Sequence, residues 1–523
     1  MQVDLADDPT PDQLRFVGFH YLADEFMAGD AGETVIAALQ LQIGVADPRA
    51  KHADQRETRG PVRHRNVLHF DTAMFEAHRD HVPQYNQEFM SAELVCFSER
   101  CRATFPVTEP IYNCARCGSL LETRYCGDHL PAQMLKTLWR GRRTSNAPLD
   151  QSGVWRYREM IPFLDNYDSV VTLREGNTPL LPGPKAAQYG GLDFLAFKHQ
   201  GFNPTGSFKD NGMTCGASQA VRLRMKRVAC VSTGNTSASM AAYSSAAGLQ
   251  PIIFIPHGNI SYGKLAQALE YGAKTFQVEA NFDQILALVR TLADKLGIYL
   301  LNSVNPFRIE GQKTIIVEMM DQRDWSPPDW IVLPGGNLGN TSAFGKALRE
   351  LREWGLIEKM PRLAVVQAAG SAPFYDLMQT ADRSALRAVD HPQTLATAIK
   401  IGDPVSWPKA LHEVVSSGGV VEMVTEQEIA DAKAIIGLCG IGCEPASAAT
   451  LAGIRKLTAA GVIARDADVV AVLTGNVLKD PDYIYRYHTG QLEAPGGARI
   501  QPTFGNQPVV VPNDADEIAA LLD

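Results

Sequence analysis

The chain has 523 residues, 45% hydrophobic and 20% charged, enough for one large two-lobed unit plus appendages. Its net charge of -9 leaves no electrostatic footprint for nucleic acid, and no stretch approaches the roughly 18 consecutive apolar residues of a membrane span. The start, with Asp4, Asp7 and Asp8, lacks a signal peptide's basic lead and apolar core, and nine scattered cysteines suit a reducing compartment, so the expected location is the cytoplasm.

Residues 1–90 read as an N-terminal extension that matches no motif. Within it Thr34 to Leu41 suggests a helix and Arg49 to Arg65 a polar loop, with the basic residues Arg59 to Arg65 expected on a solvated surface. His64, His69, His78 and His81 match no ligand spacing and read as scattered surface histidines. Residues 91–128 carry Cys96-x4-Cys101 and Cys114-x2-Cys117-Gly118, two knuckles separated by the strand-like stretch Ala103 to Tyr112. Four such thiolates can hold a tetrahedral zinc ion, which makes Cys96, Cys101, Cys114 and Cys117 candidate metal ligands. Cys126 and His129 could substitute, but read as an ordinary pair flanking a helix. Residues 129–165 form a connector with one helix, its basic run Arg140 to Arg143 expected on the solvated surface.

From 166 to 482 strands alternate with helices, which predicts an α/β fold of mostly parallel sheets covered on both faces. Strands are expected at Phe194 to Lys198, Val228 to Ser232, Ile252 to Ile255, Thr275 to Val278, Ile331 to Leu333, Leu363 to Gln367 and Val469 to Leu473. Ligand loops belong at their C-terminal ends. Cys215, Cys230, Cys439 and Cys443 sit in apolar stretches and read as core packing. The tail, 483–523, is rich in proline and glycine from Gly490 and is expected to run over the surface or pack on a partner subunit.

Four segments of this region carry chemistry. Asn203-Pro204-Thr205-Gly206-Ser207-Phe208-Lys209-Asp210 is a turn leading into a helix: proline fixes φ, glycine allows a tight approach, and Ser207 is expected to cap. Lys209 then falls in the first helical turn, where the positive helix end and burial both disfavour an ammonium. A neutral amine able to form a Schiff base with an aldehyde becomes accessible. Val228 to Ser232 runs into Thr233-Gly234-Asn235-Thr236-Ser237 and a small-residue helix, Ala238 to Ala247, an anion cradle of amides and hydroxyls. Trp330 to Leu333 precedes Pro334-Gly335-Gly336-Asn337-Leu338-Gly339-Asn340-Thr341, whose glycines let amides close on a phosphate. No Gly-Lys-Ser/Thr follows, so it is not a Walker loop. Val469 to Leu473 delivers Thr474, whose hydroxyl can hydrogen-bond a heterocyclic nitrogen while leaving it uncharged.

Taken with Glu175 to Leu180, Asn302 to Thr314, Ala396 to Trp407 and Cys443 to Ala448, these segments resemble the fold-type-II pyridoxal 5′-phosphate enzymes, and among them the threonine synthases, over Val171 to Asp482. The resemblance implies that Lys209 carries the cofactor and Asn235 bonds its ring hydroxyl. It implies also that Gly336, Asn337, Leu338, Gly339, Asn340 and Thr341 grip its phosphate and that Thr474 faces the ring nitrogen. Ser232, Thr233 and Thr236 would hold the substrate carboxylate. Arg308, supported by Asn302, Ser303 and Asn337, would receive the substrate's own phosphate, a task suited to guanidinium's planar fork of donors. The implied reaction converts O-phospho-L-homoserine and water to L-threonine and phosphate by γ-elimination and β-addition of water. A related lyase for O-phosphoserine, a hydroxyamino acid dehydratase and a non-enzymatic pseudoenzyme are the alternatives. The cysteine module is similar to the structural zinc ribbon of many threonine synthases, and the family resemblance implies a homodimer. Gln200, Asn211 and Val477 depart from the family's pattern beside the cofactor.

Overall fold

The computed structural model describes residues 90–257, 262–280 and 282–522. The expectations for Thr34 to Leu41, for Arg49 to Arg65, and for His64, His69, His78 and His81 lie outside the described residues.

The described chain opens with a three-stranded antiparallel sheet, in which β1 (Met90–Cys96) lies between β2 (Thr104–Pro106) and β3 (Leu121–Gly127). The stretch expected to be strand-like from Ala103 to Tyr112 pairs only over β2, because Pro106 and Pro110 cannot extend a ladder. In the connector the expected helix is Ala132–Arg142, but a short helix, Pro148–Gln151, and a 3-10 turn, Trp155–Met160, follow it. The basic run is not uniformly solvated either. Arg142 is buried, with Nη2 2.5 Å from Glu159 Oε1 and Nε 3.5 Å from Asp150, whereas Arg140 and Arg143 stay near the surface on Asp324 and Asp321. A guanidinium enters a core when carboxylates meet it there.

Two sheets follow. The larger has the order β12-β11-β10-β13-β5-β4, made of β4 (Leu180–Pro182), β5 (Leu195–His199), β10 (Trp330–Pro334), β11 (Arg362–Ala368), β12 (Val420–Val424) and β13 (Val469–Leu473). The smaller has the order β8-β7-β6-β9, made of β6 (Arg227–Val231), β7 (Gln250–Pro256), β8 (Lys274–Val278) and β9 (Ile298–Leu300). Every neighbouring pair in them is parallel except β4 with β5. All seven expected strands are present. β5, β10 and β13 are buried at every residue, as parallel strands covered on both faces must be. β4 and β9 have three residues each, too few to show a periodicity.

The helices Lys209–Arg222 and Pro306–Gln322 are buried along most of their length and touch through their backbones. A Cβ at Gly311 would lie 1.8 Å from the Asn211 carbonyl oxygen, and one at Gly212 would lie 2.8 Å from that of Arg308. Only glycine fits this crossing.

Cys215, Cys230 and Cys443 are core residues as expected, whereas Cys439, just past the helix Glu426–Leu438, is partly exposed. In the tail Leu492 and Ile500 pack on Tyr483 and Tyr487, and residues 505–522 are exposed. Among the described residues no helix is long and apolar enough to cross a membrane.

Candidate active site

The C-terminal ends of β6, β10 and β13 and the starts of the helices behind them enclose a cavity of about 280 Å³. Its wall brings together Lys209, Ser232, Thr233, Asn235, Thr236, Asn302, Ser303, Arg308, Gly336, Asn337, Leu338, Gly339, Asn340 and Thr474. Of the expected cofactor and substrate residues, Thr341 alone stands behind the wall, fully buried one residue past Asn340.

Lys209 is the first residue of its helix, but Ser207 does not cap it. Phe208 occupies the cap position without a side-chain bond, and Ser207 instead bridges to Gly475 through its backbone. Asp210 closes the turn, its carboxylate accepting from Thr205 N at 2.7 Å, Thr205 Oγ1 at 2.6 Å and Ser239 Oγ at 2.5 Å. Burial pushes that carboxyl up to about 6 against these donors. Gly206, at φ +80°, lets its carbonyl accept from Asn476 N at 2.9 Å, and Phe208 N donates to Thr474 O at 3.0 Å. The lysine turn and the threonine loop are thereby one unit. Burial, and then the charge of Arg308, lower the Lys209 ammonium to about 7, with Glu444 opposing them.

The glycine loop enters the helix Gly339–Glu353 through Leu338, which takes a left-handed φ of 61°. A Cβ at Gly336 would stand 3.0 Å from Ala398 O, so the loop is pressed against the segment that follows Ala396. Asn337 ties the wall together: its Nδ2 donates to Ser303 Oγ at 2.9 Å and its Oδ1 accepts from Val405 N at 2.9 Å.

Arg308 sits in the first turn of Pro306–Gln322 and is only 2% exposed. Its Nη1 donates to Leu301 O at 3.0 Å, while Nε has no partner. Burial lowers it to about 10, which leaves it a cation at neutral pH. Glu310 does not neutralise it, since that carboxylate is taken by Lys313 at 2.6 Å and by Lys346.

Sequence reasoning left Glu444 and Ser447 without roles. Glu444 Oε2 accepts from Asn235 Nδ2 at 3.0 Å, and its Oε1 from Thr474 Oγ1 at 3.3 Å. Ser447 Oγ lies 3.0 Å from Thr474 Oγ1 and accepts from Thr474 N at 2.8 Å. The readable signal was a helix start, Glu-Pro-Ala-Ser, within a segment already singled out for resemblance. Gln200, Asn211 and Val477 are all off the cavity wall, so the departures from the family pattern touch neighbours of the site only.

The residues fit pyridoxal phosphate. Asn235 Oδ1 is a buried acceptor with no partner, suited to a ring hydroxyl, and Thr341 Oγ1 is a buried hydroxyl with none, beside the amides of a helix start. Lys209 supplies an amine that is easily neutral. In the ribbon, Cys96 Sγ is 3.4 Å from Cys117 Sγ and Cys101 Sγ 3.7 Å from Cys114 Sγ, with all four sulfurs within 4.8 Å of one another. Tetrahedral zinc with Zn–S near 2.3 Å spaces its sulfurs about 3.8 Å apart, so the four thiols fit that ion. Cys126 lies 3.6 Å from Glu93 and His129 stacks on Trp354, so neither joins the cluster.

Residues 171–475 match the family model described as pyridoxal-phosphate dependent enzyme. The chain is 44% identical over 388 residues to the threonine synthase of Methanocaldococcus jannaschii, covering 74% of this chain and 93% of that protein. It is 45% identical over 385 residues to the threonine synthase of Methanosarcina acetivorans, covering 73% and 92%. Among solved structures, threonine synthase from Escherichia coli is similar in fold, with a TM-score of 0.58 at 15% identity over 75% of this chain and 90% of that one.

Proposed function

We propose that this chain, which belongs to the pyridoxal-phosphate-dependent enzyme family and within it to the threonine synthases, works through Lys209 as proton carrier and Arg308 as phosphate grip. The reaction converts O-phospho-L-homoserine and water to L-threonine and phosphate. One observation carries the assignment of residues: a single cavity holds a lysine near neutrality and a buried arginine with no carboxylate partner among the described residues.

Pyridoxal phosphate, when bound at Lys209, supplies an electron sink for charge that develops on the substrate carbons. Ser232, Thr233 and Thr236, at the start of the helix Asn235–Ala246, hold the substrate carboxylate with hydroxyls and amides. Asn235, Thr474 and the Gly336–Thr341 loop orient the cofactor. With a pKa of about 7, Lys209 Nζ takes the proton from Cα and gives one back at comparable cost in both directions. Arg308, with Asn302, Ser303 and Asn337 beside it, holds the phosphate while the Cγ–O bond breaks and balances the charge that leaves. The Cβ proton is given up as the Cγ–O electron pair leaves with phosphate, Cγ takes up a proton to become the methyl group, and water's hydroxyl ends on Cβ. Cys96, Cys101, Cys114 and Cys117 hold a structural zinc ion, and the catalytic unit spans 166–482 with the ribbon (91–128) and connector (129–165) ahead and the tail (483–523) behind. The assembly is a homodimer, a state that light scattering of the purified protein reads directly.

Phosphate release and threonine formation from O-phosphohomoserine test this reading. Lys209→Ala is expected to lower the rate by about a thousandfold, the scale of acid–base catalysis, and to abolish the visible absorption of bound cofactor. Turnover of O-phosphoserine in preference to O-phosphohomoserine would overturn the substrate assignment.

A further inference from the structure

We infer that the cysteine ribbon is the positioning element of the substrate-phosphate subsite, acting through Tyr112 and Tyr125 on the segment that carries Asn302, Ser303 and Arg308. This rests on the assignment of Arg308 to the substrate's phosphate.

The subsite is built where an edge strand ends. Leu301 N donates to Ala229 O at 2.8 Å, toward β6, so the neighbouring Leu300 N faces the open edge of the smaller sheet. Leu300 is buried, and an unpaired amide there would be costly. The ribbon supplies its acceptor: Tyr112 Oη stands 2.7 Å from Leu300 N. The Tyr112 ring also packs on Tyr299, with centroids 5.6 Å apart. Tyr112 lies two residues ahead of Cys114, and so hangs from the second knuckle. The backbone it fixes is the backbone that fixes the guanidinium, since Leu301 O accepts from Arg308 Nη1 and Leu300 O accepts from Asn305 Nδ2 at 2.9 Å.

Two further contacts bear on the helix that carries Arg308. Phe307, the residue before the arginine, is buried in one apolar cluster with Cys96, Cys114 and Leu121 of the ribbon. Tyr125 Oη, on β3, donates to Glu310 Oε2 at 2.8 Å, two residues beyond the arginine. Lys346 joins this arm to β3, donating to Thr123 O at 2.5 Å while it pairs with Glu310. The ribbon thus grips residues on either side of Arg308; it also touches the Lys209 helix at Cys215 and Gln219 and the Gly339–Glu353 helix at Lys346 and Arg349, but none of those four lines the cavity. A metal ion on the four sulfurs would lock the knuckle from which Tyr112 projects. Its loss would loosen the phosphate grip and leave the cofactor grip intact.

The test uses the holoenzyme, whose cofactor already fills the glycine loop, and inorganic phosphate as the probe. Tyr112→Phe is expected to weaken phosphate inhibition about five-fold, the scale of one lost hydrogen bond, and to lower kcat/KM similarly, with the visible cofactor absorption unchanged. Tyr125→Phe should act in the same direction. Removing metal with a chelator should weaken phosphate binding at least as much, and zinc should restore it. Unchanged phosphate binding in Tyr112→Phe and in folded, metal-depleted holoenzyme, with weakened binding in Arg308→Gln, would overturn the ribbon's role alone. Unchanged binding in Arg308→Gln would overturn the subsite assignment and this inference with it.

Discussion

On the proposed assignment, the cavity holds two anion grips of different construction. The Gly336–Thr341 loop offers main-chain amides at a helix start and the Thr341 hydroxyl, with no formal charge of its own. Arg308 offers a full charge, brought into the core without a carboxylate to offset it among the described residues. A phosphate that stays can be held by a rigid neutral cradle, whose cost is met once, on folding. A phosphate that departs gains charge as its ester bond breaks, and a fixed cation stabilises that change in a way dipoles alone do less well. The charged grip also has a side effect the neutral one lacks, since Arg308 helps lower the lysine's pKa.

The contrast can be broken most forcefully at the charged grip. Arg308→Gln should lower kcat/KM for the phosphorylated substrate by roughly a hundredfold, the scale of truncating a buried charge partner, while visible absorption shows the cofactor retained. Arg308→Lys should recover only part of the loss, since an ammonium lacks the forked donors. At the neutral grip the expected effect is smaller and of opposite kind. Gly336→Ala would put a Cβ 3.0 Å from Ala398 O and 3.3 Å from Ile399 Cα. Weakening of cofactor affinity by about ten-fold is expected, seen in a spectroscopic titration, with phosphate inhibition of the saturated enzyme unchanged. The smallest effect concerns pH. Cofactor capture by the cofactor-free protein needs the neutral amine, so its rate should rise through a pH of about 7. Arg308→Gln removes a charge that lowers this pKa, so the rise should move to higher pH, whereas Gly336→Ala should leave it in place.

Much of this was legible because each grip is local. The lysine turn, the glycine loop and Thr474 each occupy one strand–turn–helix junction, and short-range patterns place them on one face of a parallel fold. What was not legible depends on partners far along the chain. Arg142 read as surface because Glu159 and Asp150, which accompany it into the core, lie well beyond its helix. Ser207 read as a cap because a serine before a helix usually is one, but the bridge to Gly475 took its backbone and Asp210 took over the turn. Glu444 lay in a segment noted only for resemblance, and its meeting with Asn235 and Thr474 exists only once three helices and strands converge. β9 was too short to see, yet the subsite hangs from it.

The glycine crossing of the two principal helices has a consequence for substrate placement. Gly212 and Gly311 bring main chain against main chain, so the helix turns from which Lys209 and Arg308 extend, three residues before each glycine, are held at a distance set by backbone contact rather than by side-chain packing. A substrate spanning the two groups is thereby met from two fixed roots, and a change of side chain elsewhere in the pocket leaves those roots where they are.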